Sequence, residues 1–163
     1  MKTQRNIVLL ASIVLAALTF VKADKKFTIE SISTEPKNQV KSIDTSFDGP
    51  FLSANIELDN DWKNAVTAYL KVFVDDNLFT EQTFDVQNPM VDIEKKDMCK
   101  AINPSAEESD DWSMPSGRHT IDECDLTKIT SGLPDGNARI EMEIKMDDML
   151  LLTLLMVGRV ESS

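Results

Sequence analysis

Side chains that do chemistry are scarce in this chain. There is one histidine, His119, two cysteines and one tyrosine in 163 residues. A serine or cysteine nucleophile needs a base within hydrogen-bond reach, usually histidine, and no G-x-S-x-G elbow is present. His119 sits beside Arg118 in a short alternating segment and reads as a surface strand residue. Zinc asks for several His or Cys ligands, which one histidine and two cysteines 25 residues apart do not supply. Asp59-Asn60-Asp61 and Glu107–Asp111 are rich in oxygen but lack the glycine and closing glutamate of a calcium loop. Nothing selects one catalytic pair among 28 acids, and at 6% aromatics the composition is unlike a sugar cleft. No catalytic residue, metal site or cofactor is expected; the chain does not read as an enzyme, and a hydrolase is the residual possibility in that class.

Basic residues are also few. Seventeen Lys and Arg stand against 28 Asp and Glu, a net charge of −11. Neutralising phosphates takes clustered Lys and Arg, so nucleic acid and anionic membrane surfaces are excluded as leading partners.

Only one long apolar run exists, Ile7–Val21, preceded by Lys2 and Arg5 and followed by Val21-Lys22-Ala23. At about 15 residues it is short of the roughly 20 that a spanning helix needs. A positive start, an apolar middle and small residues before the cut form the secretory pattern, against the alternative of a membrane anchor. Residues 1–23 are therefore expected to be a signal peptide and 24–163 a single secreted domain. Without Lys2, Arg5 and Lys22 the domain has 14 basic and 28 acidic residues, net −14. Met149–Val157 is too short to span, and the C-terminus carries no prenylation or retention signal. Asn103 is followed by Pro104, which blocks the nearest match to a glycosylation sequon.

About 140 residues suffice for one hydrophobic core. In an oxidising compartment the simplest use of two cysteines is one bridge, Cys99–Cys124, with two buried thiols as the alternative.

What is abundant is alternation of period 2, the mark of half-buried strands. Phe27–Ile32 reads as a first strand. Leu52, Ala54, Ile56 and Leu58 alternate with polar residues after the turn Asp48-Gly49-Pro50. In Ala65–Val74 the even positions face one side and Tyr69 and Phe73 the other; Asp75-Asp76-Asn77 turns the chain into Leu78–Val86, a hairpin. Val91–Ile102 has no clean period, and Ser105–Trp112 is an acidic loop. Arg118–Asp125 is a short strand. After the turn Leu133-Pro134-Asp135-Gly136, Ile140, Met142, Ile144 and Met146 alternate with charged residues. Met149–Val160 is apolar on both faces and predicts a deeply buried strand. Some seven short strands with regular turns predict an all-β sandwich.

Seven methionines follow Met1. Methionine is adaptable and suits surfaces that accept varied apolar partners. Met142, Met146 and Met156 fall on inward positions of the last hairpin with Leu150, Leu152 and Leu154. An ordinary packed core and a cavity for an aliphatic ligand use the same residue types, so both readings stay open at this point.

Leu133-Pro134-Asp135-Gly136-Asn137-Ala138-Arg139-Ile140-Glu141-Met142, followed by Val157-Gly158-Arg159-Val160, resembles the closing hairpin of insect secreted proteins related to the ML lipid-recognition family, a group that includes ganglioside-activator-like chemosensory proteins. Asp97-Met98-Cys99-Lys100 is similar to the family's D-x-C-K segment, and Met114–Ile121 to its C-P-x-x-G-x-hydrophobic stretch. The resemblance covers roughly 55–160, with the motifs in order. Met114 replaces the usual cysteine, the tyrosine after the turn glycine is missing around Ala138, and Cys124 stands where the pattern asks for none. The family's disulfide arrangement is therefore not carried over. The resemblance implies an immunoglobulin-like β-sandwich of two antiparallel sheets that part to hold a lipid or other hydrophobic molecule. Its carrier or presenter function, chemosensory in some members, would place Leu70, Val72, Phe73, Met142, Ile144, Leu152, Leu154 and Met156 as lining candidates. The competing expectation is a secreted interaction module, a salivary or haemolymph factor that binds a receptor protein and holds no ligand.

Overall fold

The computed structural model of the chain describes residues 25–62, 66–85, 99–102 and 116–162. Nine strands follow one another among the described residues: β1 Lys25–Pro36, β2 Val40–Asp48, β3 Phe51–Leu58, β4 Val66–Val74, β5 Asn77–Asp85, β6 Cys99–Ile102, β7 Gly117–Asp125, β8 Gly136–Met146 and β9 Met149–Ser162. A single helical turn, α1 Thr127–Thr130, precedes β8. One sheet has the order β1-β9-β8-β4-β5 and the other β2-β3-β7-β6. Every pairing is antiparallel. The expected all-β sandwich of two antiparallel sheets is the fold found, and buried residues of both sheets join in one hydrophobic cluster.

Alternation builds both inner faces. β4 alternates buried and half-buried residues without a break from Val66 to Val74. β3 buries Leu52, Ala54, Ile56 and Leu58. Where the register slips, a bulge resets which side chains point inward. In β1 the slip between Ile29 and Ser31 moves the inward set from Phe27 and Ile29 to Ile32. In β7 an extra residue lies opposite Ser53, with Glu123 at φ 46. The Ser53 hydroxyl donates to Asp122 Oδ1 at 3.0 Å and accepts the Glu123 N–H at 2.9 Å, which fixes the bulge. Beyond it Cys124 is again inward and fully buried.

Two turns explain the acid pairs between strands. Asp75 and Asp76 (φ 48 and 64) and Asp147 and Asp148 (φ 47 and 69) form two-residue hairpin loops. Both central residues of such a loop take the left-handed conformation, whose twist matches the strands it joins. Asp pays less for that conformation than most residues.

Three expectations are corrected. β2 is a strand where none was read: its buried aliphatics, Val40 and Ile43, stand three apart because a slip between Val40 and Ser42 breaks the period. β9 is not buried on both faces. It is flanked by β1 and β8, yet Leu155 is 38% exposed on the outer face. Its apolar excess has a local cause: the slip between Ile144 and Lys145 brings both Leu151 and Leu152 into the core and leaves Leu150 half-buried. His119 is no surface residue either; it is 3% exposed, on the inner face of β7 opposite Ile56 in β3. The proposed signal peptide and the acidic loop Ser105–Trp112 lie outside the described residues.

Candidate ligand-binding interior

Seven of the eight lining candidates come together on the inner face of the five-stranded sheet. Register arranges them in rows across three strands: Ala68–Ile144–Leu152, Leu70–Met142–Leu154 and Val72–Ile140–Met156. All nine side chains are 5% exposed or less. Ala68 and Ile140 complete these rows; the period placed them on the same face, although neither was among the lining candidates. The facing wall comes from Ile43 on β2, Leu52, Ala54 and Ile56 on β3, and Ile121 and Cys124 on β7. Its signal in β3 was the same alternation.

Phe73 does not belong to the lining. It has the other parity of β4, faces outward, and carries the Arg139 guanidinium 4.3 Å from its ring centre. Arg139 also reaches Asp76 Oδ1 and Glu141 Oε1, each at 3.2 Å. A cation over an aromatic face is attracted by the ring's negative quadrupole, so Phe73 helps organise the outer surface.

The interior carries almost no polarity. Among the described residues the buried polar side chains are His119 and Thr130. Thr130 donates to the Leu126 carbonyl at 2.9 Å, within the α1 turn. Trp62, missed from sequence because it lies in the crossover from β3 to β4 where no period applies, is fully buried in the same cluster. Groups of three or more His, Cys, Asp or Glu able to hold a metal are absent among the described residues. No described helix is long and apolar enough to cross a membrane.

On the β1–β2 side, a hydrogen bond from β1 reaches the β2–β3 turn, and two more continue the β1–β9 pairing beyond Pro36. Ile29 N–H donates to the Gly49 carbonyl at 2.9 Å, Lys37 N–H to Leu151 at 2.9 Å, and Asn38 Nδ2 to Leu150 at 3.0 Å. The end nearest Lys25 is plugged by Leu126 and Leu133, both buried, and Lys25 Nζ donates to the Leu133 carbonyl at 2.6 Å. At that end Gly136 takes φ +146, and a Cβ there would stand 2.5 Å from Asp75 Oδ2. The Asp75 carboxylate accepts the Asn137 N–H at 2.9 Å, so the turn glycine lets two hairpins dock. The opposite seam lies between β5 and β6, each the outermost strand of its sheet.

A groove of about 360 Å³ lies on the outer face of the five-stranded sheet, along Tyr69, Lys71, Glu141, Glu143 and Leu155. Lys71 Nζ stands 5.5 Å from the Tyr69 ring centre, while Glu141 and Glu143 are paired with Arg139 and Lys145.

Cys99 and Cys124 stand directly opposite one another across β6 and β7. Directly opposed residues of an antiparallel pair have Cα atoms about 4.5–5.5 Å apart, a separation a disulfide can span.

The chain matches no protein-family model and no curated protein sequence.

Proposed function

We propose that the protein is a secreted carrier or presenter of a lipid or other hydrophobic small molecule, held between its two sheets. The observation that supports this most is the set of three aliphatic and methionine rows facing an apolar wall, with flexible Met142 and Met156 among them. Apolar ligand pockets are lined like cores, and each methylene buried there contributes about 0.8 kcal/mol. The resemblance of the closing hairpin to the ML lipid-recognition family points the same way, as does the apolar run Ile7–Val21 for export. The −14 charge of the exported domain keeps a greasy sandwich soluble. A bridge between Cys99 and Cys124 belongs to this reading, since an extracellular domain works in an oxidising medium.

Native mass spectrometry with organic extraction tests the carrier. Co-purified lipid, or saturable binding of a fluorescent fatty acid, is the expected result. A protein that stays empty and ignores the probe sinks the reading.

A second reading has its own support. Phe47 and Phe51 at the β2–β3 hairpin and Leu78 and Phe79 at the β4–β5 hairpin are 41–52% exposed. Both hairpins turn at the plugged end, so they would present apolar contacts to a receptor protein from there. Replacing all four by polar residues abolishes receptor binding in this reading and leaves lipid binding intact in the first.

A further inference from the structure

We propose that the indole N–H of Trp62 is the polar anchor of the interior site, donating a hydrogen bond to the head oxygen of a fatty acid whose tail lies along the aliphatic rows. The inference rests on the carrier reading above and goes further, to the class of ligand and its orientation.

Trp62 is fully buried, and its Nε1 has no hydrogen-bond partner among the described residues. A buried tryptophan N–H usually finds a partner. Leaving a donor unsatisfied in an apolar interior is costly enough that native structures contain few such groups. A core position that only had to fill space would be served as well by phenylalanine. A ligand oxygen would supply the acceptor that this donor lacks among the described residues.

Placement supports this role. Leu58, the last residue of β3, is paired with Val40 and Gly117, and Val66, the first of β4, with Met146. The chain between them passes from one sheet to the other at the end opposite the Leu126–Leu133 plug. Asp61 holds this crossover against the start of β7 by accepting the Ser116 N–H at 2.7 Å. Trp62 thus belongs to the core cluster from the end of the sandwich at which the first row, Ala68–Ile144–Leu152, lies. Met146 and Met149, partly buried against the core, lie at the same end and supply a soft rim. A head group at Trp62 sends its tail from that row toward Val72–Ile140–Met156.

The chemistry selects the ligand. An N–H donor recognises an oxygen acceptor and gains nothing from a plain hydrocarbon. The ligand is held by the charge-assisted hydrogen bond from Trp62 and by apolar burial.

The test compares palmitate with hexadecane, which has the same length and no acceptor, by displacement of a fluorescent fatty acid from wild type and Trp62→Phe. The variant should lose palmitate affinity by about tenfold to a hundredfold, with hexadecane affinity unchanged. In wild type the Trp62 indole proton, assigned by NMR with Trp112→Phe, should move downfield on adding palmitate and stay put with hexadecane. This second measurement decides the matter if Trp62→Phe folds poorly. Unchanged palmitate affinity in a folded variant, or an indole resonance that palmitate does not move, overturns the anchor and leaves the carrier standing. Failure of wild type to bind either probe overturns both.

Discussion

The ring of Phe27 occupies the space that a side chain on Gly158 would need. A Cβ at Gly158 would stand 2.6 Å from Phe27 Cε2 and Cζ and 2.8 Å from the Thr28 carbonyl oxygen. Ile29 is the register partner of Gly158, so the ring folds over β9 from a neighbouring position of β1. Phe27 is 1% exposed and cannot swing out without emptying that part of the core. Gly158→Ala should therefore cost about 1–3 kcal/mol, the usual penalty of overpacking. Urea unfolding checks it, and a double-mutant cycle assigns the cause. In a Phe27→Leu background the same alanine should cost clearly less, because the shorter side chain withdraws from the contact. An equal cost in both backgrounds would assign the strain to Thr28 instead.

The opposed pair Cys99 and Cys124 gives a second prediction. The intact protein should be lighter, by the mass of two hydrogens, before reduction than after it. A peptide carrying both cysteines should survive digestion without reductant. Reduction should lower stability by about 3 kcal/mol in the chain-entropy picture of a loop of this length. Two alkylatable thiols in the native, unreduced protein would contradict the bridge.

Acid should act on the clasp at the C-terminus of β9. The Ser162 hydroxyl donates to Asp135 Oδ1 at 2.9 Å, and Lys25 Nζ lies 3.3 Å from the same oxygen. The hydrogen bond from Ser162 is the main cause, with Lys25 adding to it, of an Asp135 carboxyl held below the usual carboxylate range. Because the folded form is the stronger acid, its stabilising contribution is complete above about pH 4. It is lost as the pH falls through the lowered folded value. The group is open to solvent, so the effect on global stability is small and NMR titration of the carboxyl is the sharper measurement. Ser162→Ala should return Asp135 toward an ordinary aspartate.

Period 2 made most of the interior legible in the sequence. Leu70, Val72, Met142, Ile144, Leu154 and Met156 could be assigned to one face because β4 and the central part of β8 and β9 run without a slip. What failed did so where a bulge or a crossover replaced the period. Val40 and Ile43 hid β2 behind a three-residue spacing, and adjacent Leu151 and Leu152 made β9 look apolar on both faces. His119 was misread because a short strand beside Arg118 gives no clue to which face is covered, which depends on the opposite sheet. Trp62 had no signal at all, since a residue in a crossover is buried by where the chain passes.

Phe73 and Met156 separate the two faces of the same sheet functionally. Met156, 1% exposed, fills the third inner row, so Met156→Ala should cost about 2–5 kcal/mol and should alter the affinity for a fatty-acid probe. Phe73→Ala removes only the platform under Arg139, a contact worth about 0.5–1 kcal/mol at an exposed site. Its probe affinity should equal that of wild type. Urea midpoints and probe titrations on the two variants give both numbers. The opposite pattern, with binding lost on Phe73→Ala and kept on Met156→Ala, would move the ligand to the outer groove along Tyr69, Lys71 and Leu155. There, only one side of an acyl chain could be covered, and affinity would depend on Lys71 and fall with salt. Binding that follows Met156 and does not weaken with salt is what an occupant between the sheets requires, because apolar burial is not screened and a head-group hydrogen bond buried at Trp62 is screened little.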